Sequence, residues 1–167
     1  MEEIKTFFYK EIKNYSDRSD IEEQTISTSM IFSFAEILDE AGAILADYEI
    51  QHIQSKNGFI HGWAWEEESQ ILEFYNGIFI EKLENIEKRK IDSEFLKMEN
   101  FLRDVSLGNL PNYDISSLEK EKIINLIKDK LTKKATINLN IFTNGTTNES
   151  KKILPVKEKD NIRFNYR

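Results

Sequence analysis

Between residues 48 and 80, Ile, Phe, Tyr and Trp dominate the chain, and two polar breaks interrupt them. β-Branched and aromatic residues favour pleated backbone, while Lys56-Asn57-Gly58 and the acidic stretch 66–70 are turn formers. Segments 48–54, 59–65 and 71–80 therefore predict a three-strand antiparallel meander. Such a sheet has one apolar face to hide, so the rest of the chain must supply cover.

The flanking segments carry helical periodicity. Met30, Phe34, Ile37/Leu38, Ala41 and Ile44/Leu45 form one apolar stripe, predicting a helix to about residue 45. Ser19 with Glu22, or Asp20 with Glu23, fits its capping box, and Ile4, Phe7, Phe8, Ile12 and Tyr15 predict a shorter helix before it. After a charged connector at 81–90, Asp92 or Ser93 can cap a helix facing inward through Phe95, Met98, Phe101/Leu102 and Val105. Gly108 suits its exit, and Pro111 blocks continuation. Ser116 with Glu119 caps a further helix with Ile123/Ile124, Ile127 and Leu131 inside. Ile137, Leu139 and Ile141 then alternate with Thr136, Asn138 and Asn140 in a strand ending at Thr143-Asn144-Gly145. A loop is expected over 146–152, and Ile162, Phe164 and Tyr166 alternate in a last strand.

Composition narrows the function classes. The 167 residues include no Cys, so disulfides, thiolate zinc sites and cysteine nucleophiles are excluded. The two histidines, His52 and His61, cannot build a His-rich metal centre. A net charge of −7 argues against nonspecific binding of nucleic acid or anionic membranes by the whole surface. Lys88-Arg89-Lys90, the lysines of 128–134 and Lys151-Lys152 are interleaved with or adjacent to acids and read as solvated faces. No Gly-rich phosphate loop and no Gly-x-Ser-x-Gly elbow occurs. The charged start lacks a signal-peptide core, and the apolar runs fall far short of the ~20 residues of a membrane span, so a cytoplasmic location is expected. With two Pro and six Gly there is no linker-like stretch. One domain, 1–167, is expected, with a helix and turn at 1–19 and a core at 20–167. Its end inside or just after a strand suggests the amino-terminal part of a longer protein.

The order predicts an α+β (mixed α/β) fold with a central mixed sheet flanked by helices, and α-βββ-α-β is the order of the restriction-endonuclease-like core. Active members of that class hold Mg²⁺ with an acid on the second strand and an Asp/Glu-x-Lys on the third. Here the third strand offers Glu73, but Tyr75 stands at the Lys position and His61 at that of the second-strand acid. Glu36, within the long helix, is a further candidate acid. Glu36, His61 and Glu73 are thus candidate remnants of a nuclease site. Their ordinary alternatives are a solvated helix flank, a structural histidine and an edge carboxylate. Trp63 and Trp65 lie on one strand face with His61 in line, either a binding platform for a ring or a core face beneath a helix. His52 alternates less cleanly and is expected at the surface.

The segment from Gly58 through Gly62-Trp63-Ala64-Trp65 to Phe79 resembles the hairpin at the amino end of AIPR proteins, the bacterial abortive infection phage resistance family. Residues 95–103, Ile137-Asn-Leu-Asn-Ile-Phe-Thr-Asn-Gly145 and 159–167 resemble later family segments in the same order, covering about residues 20–167. The resemblance implies the amino-terminal domain of a phage-defence protein, with more chain beyond Arg167. It also exposes a departure: the family hairpin usually carries Asp where this chain has His61. The expected function is that of a non-catalytic or catalytically degenerate module, needing no cofactor and acting in recognition or assembly. Its partners would be a nucleic acid, a protein, the rest of a longer chain or a second copy, with no membrane. The alternative is a divergent Mg²⁺-dependent nuclease.

Overall fold

The meander supplies three successive antiparallel strands of a six-stranded mixed sheet. The computed structural model describes residue 10 and residues 26–40, 42, 44–45, 47–80, 85–109, 118–132, 135–146, 157–159 and 162–166. Their helices are α1 (Ile26–Glu40), α2 (Lys88–Leu107) and α3 (Leu118–Thr132). The strands are β1 (Tyr48–Glu49), β2 (Ile53–Gln54), β3 (Phe59–Ile60), β4 (Gly62–Glu66), β5 (Ile71–Ile78), β6 (Thr136–Thr143), β7 (Lys157–Lys159) and β8 (Ile162–Tyr166). The sheet runs β1-β4-β5-β6-β8-β7, and β2 pairs with β3 apart from it. Pairing is antiparallel for β1–β4, β4–β5 and β7–β8, and parallel for β5–β6 and β6–β8. The α+β expectation and its mixed central sheet are therefore met. The predicted first helix, apart from helical Lys10, lies outside the described residues, as do the Ser19, Asp20 and Ser116 caps, Pro111 and residues 147–152.

The apolar face of the sheet carries Leu72, Phe74, Ile137, Leu139, Phe164 and Tyr166. Helix α2 covers it with Phe95, Met98, Phe101, Leu102 and Val105, and α3 with Ile123, Ile124 and Ile127, the spacings expected of amphipathic helices. Each such side chain contributes about 1.5–3 kcal/mol on burial. Phe95 meets Tyr166 edge-on at 4.9 Å. On the opposite face, α1 brings Ile31 against Ala64 and Tyr75. Gly77 permits this approach, since a Cβ there would stand 2.8 Å from the Ser27 carbonyl.

Two segments and two helix ends differ from expectation. Segments 48–54 and 59–65 each split in two, because His61 breaks the ladder. Its N–H donates to the Tyr75 carbonyl at 2.9 Å and to Asn76 Oδ1 at 3.1 Å, while its own Nδ1 accepts the Gly77 N–H at 3.0 Å. An imidazole thus stands where a ladder carbonyl would, and residues 53–60 leave the sheet as the β2–β3 hairpin against α2. Helix α2 starts at Lys88, four residues before Asp92; Glu87 is its N-cap in extended conformation, and a Lys88–Asp92 pair spans the first turn at 2.5 Å. Helix α1 stops at Glu40, short of residue 45, and Gly42 follows with φ 65°. Gly108, at φ 73°, ends α2 as expected.

Asp104 of α2 fastens the hairpin. Its Oδ2 accepts Ser55 Oγ at 2.7 Å and the Asn57 N–H at 2.7 Å, and its Oδ1 accepts Asn57 Nδ2 at 2.9 Å. Burial alone pushes this carboxyl group up, but the donors from Ser55 and Asn57, with Lys56 nearby, outweigh it and hold the group below the usual range. Asp104→Ala orphans the buried Ser55 hydroxyl and releases both Asn57 donors, and is expected to cost about 3 kcal/mol in urea unfolding. Asp104→Asn should cost less, and a loss below about 1 kcal/mol for the alanine variant would disprove the fastening role.

Candidate functional site

Parallel pairing sets Glu73 of β5, Asn138 of β6 and Asn165 of β8 in one row across the sheet. Asn165 Nδ2 donates to Asn138 Oδ1 at 2.8 Å, and Asn138 Nδ2 donates to Glu73 Oε1 at 2.9 Å. Tyr75, two residues along β5 and therefore on the same face, donates its hydroxyl to Glu73 Oε2 at 2.8 Å. The Leu45 N–H approaches that oxygen at 3.5 Å. Glu73 and Asn138 are 4% and 1% exposed, so the row is interior. Burial, then the neighbouring Glu73, pushes the Tyr75 phenol far up; it keeps its proton and serves as a donor.

The structure does not bring Glu36, His61 and Glu73 together. The residue opposite Glu73 on β4 is Ala64, not His61. Glu36 is exposed on α1. His61 sits at the bend before β4, 4% exposed, its ring 5.3 Å from His52 and 5.0 Å from Phe59. Because Nδ1 accepts the Gly77 N–H, the imidazole proton is assigned to Nε2. Burial, then His52 and Lys97, lowers His61 to about 3. His52 is half-buried in this ring cluster rather than at the surface. No group of three or more His, Cys, Asp or Glu that could hold a metal ion occurs among the described residues.

Trp63 and Trp65 do share a face, and it is the one beneath α3. Trp65 is closed over: Lys130 Nζ lies 4.1 Å above its ring, and its Nε1 donates to Glu67 Oε2 at 2.6 Å. Lys130 also pairs with Glu67 at 2.7 Å, and these donors, Lys130 first, hold Glu67 below the usual carboxyl range. Trp63, 8% exposed, lines a cleft of about 520 Å³ with Glu49, Gln51, Lys122, Ile123 and Leu126. Its Nε1 is buried without a hydrogen-bond partner.

The Asn138–Asn165 row and the Lys130–Glu67 closure are absent from the sequence expectations. Alternating Thr136, Asn138 and Asn140 was a visible signal, because amides repeated along one face of an interior strand need partners across the sheet. Nothing local signals that Lys130 meets Glu67.

Fold and row together define an α+β domain on a mixed sheet, helices on both faces, with a carboxyl group sequestered among strand side chains. The chain belongs to the family of the abortive infection phage resistance protein N-terminal domain, whose model matches residues 30–167. It is a domain of a phage-resistance protein. No curated protein and no solved structure matches the chain.

The His61 shift gives a pH dependence with a definite sign. The folded state binds the His61 proton only near pH 3, the unfolded chain near 6.5. Stability from neutral His61 is therefore complete above about 6.5 and lost as pH falls through that window, on the order of 5 kcal/mol in total. His61→Asn keeps an acceptor for Gly77 without the titration. Urea midpoints measured from pH 7 to 4 should fall less steeply in this variant, and parallel curves would disprove the assignment.

Proposed function

We propose that this domain does not cut nucleic acid and serves recognition or assembly within a phage-resistance protein of the bacterial cytoplasm. The observation that carries this is the state of the Glu73 carboxyl group. Both its oxygens accept hydrogen bonds from buried neighbours, Asn138 and Tyr75. A Mg²⁺ site of the endonuclease-like kind needs free carboxylate oxygens from at least two acids and a cation beside the scissile phosphate. Here the β4 residue across from Glu73 is Ala64, the third-strand position after Glu73-Phe74 holds Tyr75, and Glu36 faces solvent. This donor set does not fit Mg²⁺. Tyr75, its proton held by burial, offers a hydrogen bond where a Lys would offer positive charge.

Incubating the purified chain with Mg²⁺ or Mn²⁺ and end-labelled DNA or RNA tests the proposal. Cleavage no greater than that of Glu73→Gln is the expected result, and metal-dependent cleavage abolished by that change would overturn it. In unfolding experiments Glu73→Ala should cost about 3 kcal/mol, because the Asn138 and Tyr75 donors lose their acceptor.

A further inference from the structure

Helix α3 sets Lys122, Leu126 and Lys130 at i, i+4 and i+8, one stripe of a helix. Beneath that stripe run Trp63 and Trp65 of β4. At the Trp65 end a cation covers the ring and a carboxylate receives both the indole N–H and the lysine. The Trp63 end has the same kinds of group: Lys122, an indole, and Glu49 on the opposite wall. Yet Trp63 Nε1 has no acceptor, and neither Lys122 nor Glu49 makes an ion pair among the described residues. A cleft of about 520 Å³ stands there instead, within the range of ligand-binding cavities.

One wall of the cleft belongs to β1, which among the described residues is the outermost strand and pairs only with β4. No described strand pairs with the far side of β1, where its main-chain groups can meet an added strand. We propose that the cleft receives an extended acidic peptide segment from a partner protein, lying between the β1 edge and α3. Main-chain groups pair with the edge, an aliphatic side chain rests on Ile123 and Leu126, and an Asp or Glu supplies Lys122 with its counter-ion. That carboxylate does for Lys122 what Glu67 does for Lys130. Glu49, on the β1 wall, repels a second acid there and orients the segment. The inference rests on the proposed recognition role and names the chemistry of the partner.

Panning a random heptapeptide display library against the chain, with counter-selection on Lys122→Glu, tests it. Lys122 is exposed, so the charge reversal leaves the fold intact. Enrichment of peptides joining Asp or Glu to Ile, Leu or Val is expected. Their synthetic forms should bind roughly tenfold more weakly to Lys122→Glu. They should also be excluded by Leu126→Trp, which fills the cleft, and weakened by N-methylation of the peptide. In ¹H–¹⁵N spectra the Trp63 indole signal, assigned with Trp65→Phe, should move on binding. No enrichment, equal binding to Lys122→Glu, or an unmoved Trp63 signal would overturn the site. A shift produced equally by isovalerate, or a labelled oligonucleotide whose binding alone depends on Lys122, would overturn the peptide assignment. Failure here leaves the nuclease assay untouched, and cleavage in that assay leaves peptide binding to be read separately.

Discussion

Eight consecutive residue pairs join β5 to β6 in parallel, from Ile71 with Thr136 to Ile78 with Thr143. A parallel pair cannot be closed by a tight turn, so the chain between the two strands must cross one face of the sheet. Helices α2 and α3 occupy that crossover, and their apolar stripes find Leu72, Phe74, Ile137 and Leu139 beneath them. With that face taken, α1 covers the other. The central strand is consequently buried on both sides, and its polar residues must find partners within the sheet.

This explains why the two faces are so different in chemistry. The crossover face is mostly hydrocarbon and aromatic, with buried Asn76 held there by Glu94 of α2 and the His61 N–H. The α1 face carries Glu73, Tyr75, Asn138, Asn140 and Asn165. A carboxyl group in such a place would be costly alone, and hydrogen bonds from uncharged donors, among them Asn138, Tyr75 and the Leu45 N–H, compensate it. The Asn138 amide also ties β5 to β8 through Asn165, so one row fixes the register of three strands. A slip of one residue in any of these strands would turn its member of the row onto the opposite face and break the row.

Much of this was legible in the order of residues, because alternation and helical spacing are local properties. The strands at 71–78, 136–143 and 162–166, the apolar stripes of α2 and α3, and the Gly108 exit lie where the patterns put them. The break at His61 was not legible, since it arises when an imidazole nitrogen accepts an N–H from a residue of the neighbouring strand. Nor was the bridge from Asn85, just ahead of α2, to Thr146 legible, a contact across 61 residues. The separation of the candidate residues Glu36, His61 and Glu73 was hidden for the same reason. Alternation shows which residues of one strand share a face, but the register between strands decides that Ala64, rather than His61, stands beside Glu73.

Tyr75 joins the packing and the chemistry of this face. Its ring is fully buried, 5.5 Å from Phe142 and packed with Ile31, while its hydroxyl donates to Glu73. A lysine there would lose the ring contacts and place an ammonium group in the space the phenol fills. Burial disfavours that charge, and Glu73 is the acid that would have to offset it. A functioning Glu-x-Lys pair would therefore require more than one exchanged side chain. Ile31 and Phe142 would have to withdraw, Asn138 would have to release an oxygen of Glu73, and an acid would have to replace Ala64. The tyrosine is built into the fold as deeply as the residues around it.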